Sequence, residues 1–433
     1  MTRILIISRY YPPEVAISGV CLSEIAKRFA KLGHEVTVLT TVPNYPTGVV
    51  PAAYRGRLIQ EETLDGVRVV RIWSYAAPNK GYIWRTFAQL SFGCLAPILG
   101  WKKSGDPEVV IVSSPPLFNV IAGRIVAWLK RRPLVLRVAD LWPESAVKLG
   151  VLHNSLLIRL AEWLEWTTYQ QAGFVWTVTE GIYNTLLQRG LSAEHIFLST
   201  NGVDTVKFHP MPRMQARKEL GWDGRFTVLY AGNHGLAYGM TTILDAAELL
   251  QHDADIHFIL VGYGVKKAEL IEQAKVRYIT NITFLDPVQH ERMPLLLGGA
   301  DVCLIPLRNV PFLKGTLPVK MFEMMACGRP FVLGAKGIAR DLVEREANAG
   351  IVVEPENAEA LVSTILYLRA HPEEAEALGL QGREYVRSYF DYDQITAALD
   401  ARIETLLEKQ GSVSIPAVPA PVDLLEIEEI GRH

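Results

Sequence analysis

Lys320 and Glu323 stand three residues apart in Thr316–Pro330, TLPVKMFEMMACGRP. Pro318 opens a helical pattern that Gly328 and Pro330 close, the usual order of these two breakers. The segment Lys314-Gly315-Thr316 leads into it, and a helix start leaves backbone N–H groups open to an anion. One turn in, the Glu323 carboxylate accepts hydrogen bonds from vicinal hydroxyls. The two features together suit a ligand carrying a diphosphate next to a ribose. A core helix with a solvated Lys–Glu pair gives the same pattern. However, Lys before Glu is the less favourable order on a helix, and a Glu on a core-facing helix needs a partner.

Further candidates lie where short apolar runs end. Asn233, His234 and Gly235 follow LYAG (229–232) and carry donors for phosphate or sugar oxygens. Gly262 and Gly264, in VGYG, suit close backbone approach, and Leu285–Val288 offers backbone groups to a base. Arg308, Lys314 and Lys320 are the candidate cations for a diphosphate, with Leu317 and Pro318 at the loop–helix junction. Gly19, after YYPPE, suits backbone approach from the other half of the chain, and Asn44 and Tyr45 end another apolar run where a second ligand has room. Asp140 and Glu144 follow RVA directly, placed to orient or deprotonate a hydroxyl. Each has a plainer reading: a turn glycine at 19, a Pro-bracketed turn at 44–45, a capping Asp140, a structural His234. A literal DxD, Asp253-Ala254-Asp255, reads as an exposed turn, and no metal is expected.

These ends belong to two series of β-branched runs with helical patterns between them. RILIIS (3–8), EVTVLT (35–40), RVVRI (68–72), VVIVSS (109–114), PLVLRVAD (133–140) and FVWTVT (174–179) form the first. FTVLYAG (226–232), HFILVG (257–262), ITFLD (282–286), VCLIPL (302–307), RPFVLG (329–334) and GIVVE (350–354) form the second. Helices are expected over 22–32, 118–129, 156–172, 240–251, 358–370 and, with a break near 389–393, over 375–407. Continuous apolar strands with helical crossovers mean parallel sheets covered on both faces. The expectation is α/β, two doubly wound domains facing a cleft, with ligands beyond the C-terminal strand ends. The boundaries are 1–205, 206–385, a helix over 386–409 crossing back to the first domain, and a flexible tail over 410–433.

The charge of −2 hides an asymmetry. Residues 1–200 hold 21 Lys and Arg against 14 Asp and Glu, hence +7, and the remainder carries −9. The basic half favours an anionic partner, a membrane surface or a phosphorylated lipid. Nucleic acid is not expected: the cations are dispersed and no aromatic-interleaved or helix-turn-helix pattern occurs. Four scattered cysteines fit reduced thiols in a cytoplasmic protein. In YIWRTFAQLSFGCLAPILGWKK (82–103), Phe87, Leu90, Cys94, Ile98 and Trp101 recur at helical spacing, with Lys102 and Lys103 at the end. Arg85, Gln89 and Pro97 argue against a membrane span. The stripe is either core or a surface for a membrane interface.

The segments YYPPEVAISG (10–19), GHEVTVLTTVPNYPTG (33–48), RVADLWPES (137–145), TNGVDTVKF (200–208), LYAGNHG (229–235) and PVKMFEMMACGRP (318–330), in this order and spacing, resemble glycosyltransferase family 4 of the GT-B architecture. The similarity is to its WbuB/WcaI-like branch, which acts in bacterial surface-polysaccharide and O-antigen assembly, and runs over about 1–408. It implies a retaining, metal-independent transferase without cofactor. The donor would be a UDP-sugar, an N-acetylated one, held by the second domain at residues 233–235, 262–264, 308, 314, 317–318, 320 and 323, with Gly19 reaching in from the first. The acceptor would be a polyprenyl-diphosphate-linked saccharide on the first domain, near Asn44, Tyr45, Asp140 and Glu144. Its place would be the cytoplasm or the inner face of the plasma membrane. The chain departs from the wider family at three points: Gly315 replaces the first of two glutamates, Asn233 and Tyr238 replace an Arg and a Lys, and Ala139 replaces a His. A UDP-sugar 2-epimerase of the same architecture and a non-catalytic sugar-nucleotide binder are the alternatives. Epimer formed without acceptor would mark the first, and binding without turnover the second.

Overall fold

The computed structural model describes residues 1–14, 16–45, 47–76, 82–148 and 152–411; most of the expected tail lies outside them. The first sheet contains β1 (Arg3–Ile7), β2 (Glu35–Thr41), β3 (Ile59–Leu64), β4 (Val67–Ile72), β5 (Val109–Ser114), β6 (Leu134–Val138), β7 (Phe174–Thr177) and β8 (Ile196–Leu198), in the order 3-4-2-1-5-6-7-8. The second contains β9 (Phe226–Ala231), β10 (Ile256–Val261), β11 (Ile282–Leu285), β12 (Val302–Pro306), β13 (Phe331–Gly334) and β14 (Ile351–Val353), in the order 11-10-9-12-13-14. Helices α1 (Ile17–Lys31), α2 (Tyr82–Leu95), α3 (Leu117–Lys130), α4 (Glu144–Lys148), α5 (Ser155–Gln171) and α6 (Glu180–Gln188) accompany the first sheet. Helices α7 (Arg213–Leu220), α8 (Met240–Leu249), α9 (Lys267–Val276), α10 (Met293–Gly299), α11 (Val319–Ala326), α12 (Ile338–Asp341), α13 (Ala358–Ala370) and α14 (Pro372–Tyr389) accompany the second, and α15 (Tyr392–Gly411) follows.

The strands pair in parallel except β3, which runs antiparallel to β4 with Ile59 opposite Ile72 and Leu64 opposite Val67. This corrects the all-parallel expectation. Asp65-Gly66 joins the two strands, and both residues have positive φ, which is the hairpin turn that Asp-Gly favours. Inner strands are buried throughout, Val109–Val112 at 0% exposure, because helices cover both faces of the sheet. Strand order reverses between β1 and β5 in one sheet and between β9 and β12 in the other. Loops after those strands diverge and open a crevice at each switch point. Residues from both crevices line one cavity.

Helix α15 returns to the first domain. Its Leu399 and Ile403 are fully buried among Ile4, Phe29, Phe174 and Trp176. Asp393 and Asp400 pair with Arg28 and His34 of the α1 region at 2.5 and 2.9 Å.

Candidate active site in the interdomain cleft

The cavity encloses about 360 Å³. Its floor is the C-terminal ends of β9 and β10, Ala231-Gly232 and Val261-Gly262. Gly232 and Gly262 have φ of 141° and 142°, and a side chain on Gly262 would collide with the Gly232 carbonyl. The absence of a side chain on Gly232 also makes room for the Lys320 ammonium. Pro318 is the N-cap of α11, so the helix begins one residue later than the sequence pattern places it.

Lys320 projects over this floor between two tyrosines, Nζ lying 4.3 Å from the Tyr230 ring centroid and 4.2 Å from that of Tyr238. Nζ donates to Tyr230 Oη at 3.3 Å, and Tyr230 Oη in turn donates to the Asn233 carbonyl at 2.6 Å. The aromatic faces attract the cation but replace little of its lost hydration. Burial therefore lowers the Lys320 pKa to about 7, with the Glu323 charge opposing that shift.

One turn on, Glu323 faces the same cavity with 15% of its side chain exposed. Its Oε1 lies 2.8 Å from Nε2 of His290, whose Nδ1 lies 3.0 Å from Lys207 Nζ. An ammonium only donates, so Nδ1 accepts and Nε2 carries the proton that Glu323 receives. The Phe208 ring packs on His290 at 5.3 Å. Neither Lys207 nor His290 stands out in sequence. They lie 116 and 33 positions from Glu323, His290 in a turn without periodicity. Lys207 falls within TNGVDTVKF, which was the one available signal.

The opposite wall comes from α1, through Ala16, Val20, Cys21 and Glu24, and from Tyr45. Gly19 lies inside α1 rather than in the preceding loop; it is buried against the Tyr10 carbonyl and does not line the cavity. The Asn44 side chain is also turned away: Nδ2 donates to its neighbour Val42 O at 2.8 Å. The amides of Asn44 and Tyr45 donate to Glu14 Oε1 at 2.8 and 2.7 Å. Glu14 is 4% exposed, and burial raises its pKa against those two hydrogen bonds.

Several sequence candidates are not at the cavity. His234 is fully buried with neither ring nitrogen hydrogen-bonded, and burial lowers its pKa to about 4, so it is neutral. Gly235 and Gly264 pack around it and Asn233, whereas Asn233 itself and Gly262 do line the cavity. Leu317 and Pro318 stay behind Val319, the helix residue that reaches the lining. Arg308 and Lys314 share a separate recess, Arg308 Nε facing Glu356 at 3.4 Å. Arg308 precedes the 3₁₀ turn Pro311–Gly315 and Lys314 lies within it, so neither shares the helical register of Lys320. Glu144 pairs with Arg189, which reaches Glu165 at 3.8 Å, at a second hollow of about 540 Å³. Asp140 is exposed past the end of β6. The Ser145 hydroxyl and the Leu141 amide donate to it, as its capping reading requires, and partial burial raises its pKa. Asp253 and Asp255 are held by Arg369 at 2.5 and 3.3 Å.

The family descriptions that match are "Glycosyl transferase 4-like domain" over residues 18–202 and "Glycosyl transferases group 1" over 225–371. The putative colanic acid biosynthesis glycosyl transferase WcaI of Escherichia coli is 26% identical across 91% of this chain and 97% of its own. The probable glycosyltransferase WbjE of Pseudomonas aeruginosa is 23% identical across 84% and 89%. Among solved structures, sucrose-phosphate synthase from Thermosynechococcus elongatus superposes with a TM-score of 0.70 at 20% identity, over 94% of this chain and all of that one. Anabaena HepE in complex with UDP superposes at 0.69 and 19%, over 93% and 100%. With one match on each domain and the shared two-domain fold, the chain belongs to the GT-B glycosyltransferases of the group 1 and 4-like families.

Proposed function

We propose that the protein transfers an N-acetylated amino sugar, with retention and without a metal ion, from a UDP-sugar to a polyprenyl-diphosphate-linked saccharide in surface-polysaccharide assembly. The observation carrying the donor half is Lys320, an ammonium held over the β9 and β10 ends between two tyrosines. Where the wider family places an Arg and a Lys, this chain has Asn233 and Tyr238, and Lys320 brings one cation back from α11. Its charge stabilises the diphosphate as the glycosidic bond breaks. Glu323 accepts from the ribose, and Pro287 and Val288 form the wall beside the base. Asp140, exposed past the end of β6 and outside the cavity, is assigned to the acceptor hydroxyl on its place at a first-domain strand end. HepE, a relative in fold, has been solved with UDP and with UDP-glucose, which agrees with such a donor.

The acceptor's lipid calls for docking at an anionic bilayer. Phe87, Leu90 and Ile98 are 54%, 38% and 68% exposed, so the stripe on α2 and its continuation faces outward. Lys102 and Lys130 flank Trp101 at its end. Among the described residues no helix is long and apolar enough to cross a membrane. Product analysis with UDP-N-acetyl sugars, with and without a lipid-linked acceptor, tests the reaction. Acceptor-dependent glycolipid supports it; epimer formed without acceptor overturns it. Failure to sediment with anionic vesicles at low salt removes the membrane part alone.

A further inference from the structure

We infer that Lys207 and His290 are positioning residues that hold Glu323 ready for the ribose, Lys207 from the segment that follows the first domain and His290 from the turn before α10. The inference rests on the proposed role of Glu323. A carboxylate has two oxygens, and rotation about its last bond scrambles which one faces the ligand. Here His290 Nε2–H occupies Oε1 at 2.8 Å and leaves Oε2 as the acceptor for a vicinal diol. Lys207 Nζ, 3.0 Å from Nδ1, fixes the tautomer that makes this donation possible. The Phe208 ring limits imidazole tilt. All four side chains line the cavity.

Lys207 lies in a segment that both domains hold, for its neighbours Val203 and Phe208 are buried in the second domain's core. Its backbone amide donates to Asp204 Oδ1 at 2.9 Å, and Asp204 Oδ2 pairs with Arg28 of α1 at 3.1 Å. The relay therefore starts at a segment that both domains hold and ends on α11 of the second.

The test is calorimetric binding of UDP and of 2′,3′-dideoxy-UDP to the full chain. The native protein should prefer UDP by roughly ten- to hundredfold, the value of two hydroxyl contacts to a carboxylate. His290→Phe should weaken UDP by about tenfold and leave the dideoxy compound unchanged, collapsing the preference. His290→Gln, whose amide nitrogen reaches the Nε2 position, should restore most of it. Lys207→Met, at a side chain 25% exposed, should lower UDP affinity by about threefold with no effect on the dideoxy ligand, and serves if the Phe variant does not fold. Equal losses for both ligands, or a preference kept at its native size in His290→Phe, overturn the inference. If the native protein shows no preference, or Glu323→Gln retains it, the ribose role of Glu323 falls and this inference with it.

Discussion

The two walls of the cleft are built differently. On the second domain, strand ends, one helical turn and a histidine relay converge on a closed floor, with Lys320 and Glu323 both facing it. On the first domain the carboxylates are dispersed: Asp140 caps its own turn, Glu144 is held by Arg189, and Glu14 props the Asn44–Tyr45 loop from behind. A diphosphate and a ribose have fixed charge and shape, and a compact, prearranged site suits them. The first-domain side offers a wall through Val20, Cys21, Tyr45 and Glu24, whose carboxylate is taken up by Arg28 at 2.7 Å, and exposed chemistry beyond it. If the donor binds as proposed, its recognition is preorganised in the second domain, and the first-domain wall is left as the more open of the two.

The sharpest way to break the contrast is Lys320→Met. If the donor wall is preorganised around that ammonium, turnover should fall by roughly 10²–10³-fold in steady-state kinetics, as when one preorganised charge-stabilising group is lost. A loss under threefold would show that some other cation carries the diphosphate. Glu323→Gln comes next: UDP affinity should drop about ten- to hundredfold, the loss of a charge-assisted hydrogen bond. Unchanged calorimetric affinity in a folded variant would sink the ribose assignment.

Acidity probes the same lysine more gently. Burial holds its pKa at about 7, and a diphosphate bound as proposed would raise it, so binding would take up a proton above that pH. UDP-sugar affinity should therefore be flat below about pH 7 and fall by up to tenfold per unit above it. Calorimetry in buffers of different ionisation enthalpy should register the uptake; none at pH 8 would contradict the buried-cation picture. The smallest effect is expected on the dispersed wall. Glu144→Gln should change turnover by less than about threefold, while Asp140→Asn should lower kcat roughly tenfold at unchanged donor affinity. A reversal of that order would move the acceptor chemistry into the hollow lined by Glu144 and Arg189.

Much of this was legible in the chain itself, and the failures have physical causes. The strands read well because parallel strands buried on both faces are continuous apolar runs. β3, IQEETL, is a half-polar edge strand and lacks that signature, although its Asp-Gly turn was available. Lys320 and Glu323 were legible because one helical turn defines their relation. Arg308 and Lys314 point elsewhere because one precedes a 3₁₀ turn and the other lies within it, outside the register of α11. His290 and Lys207 join Glu323 only through tertiary packing, which no local pattern encodes. In α2, both faces carry apolar residues. Ala88 and Phe92 face the core while Phe87 and Leu90 face out, and periodicity alone cannot choose between two apolar stripes.

The return of α15 has a consequence for biosynthesis. A ribosome makes residues 392–411 after every other described segment, yet Leu399 and Ile403 complete the core beneath β1 and β7. The domain begun first is thus among the last to finish. While the second domain emerges and folds, the surface around Phe29, Phe174 and Trp176 waits uncovered, a target for chaperones and for self-association. Premature termination before Tyr392 would leave a protein whose interdomain cavity has lost one lining residue, Tyr392, but whose N-terminal half is permanently open to the solvent.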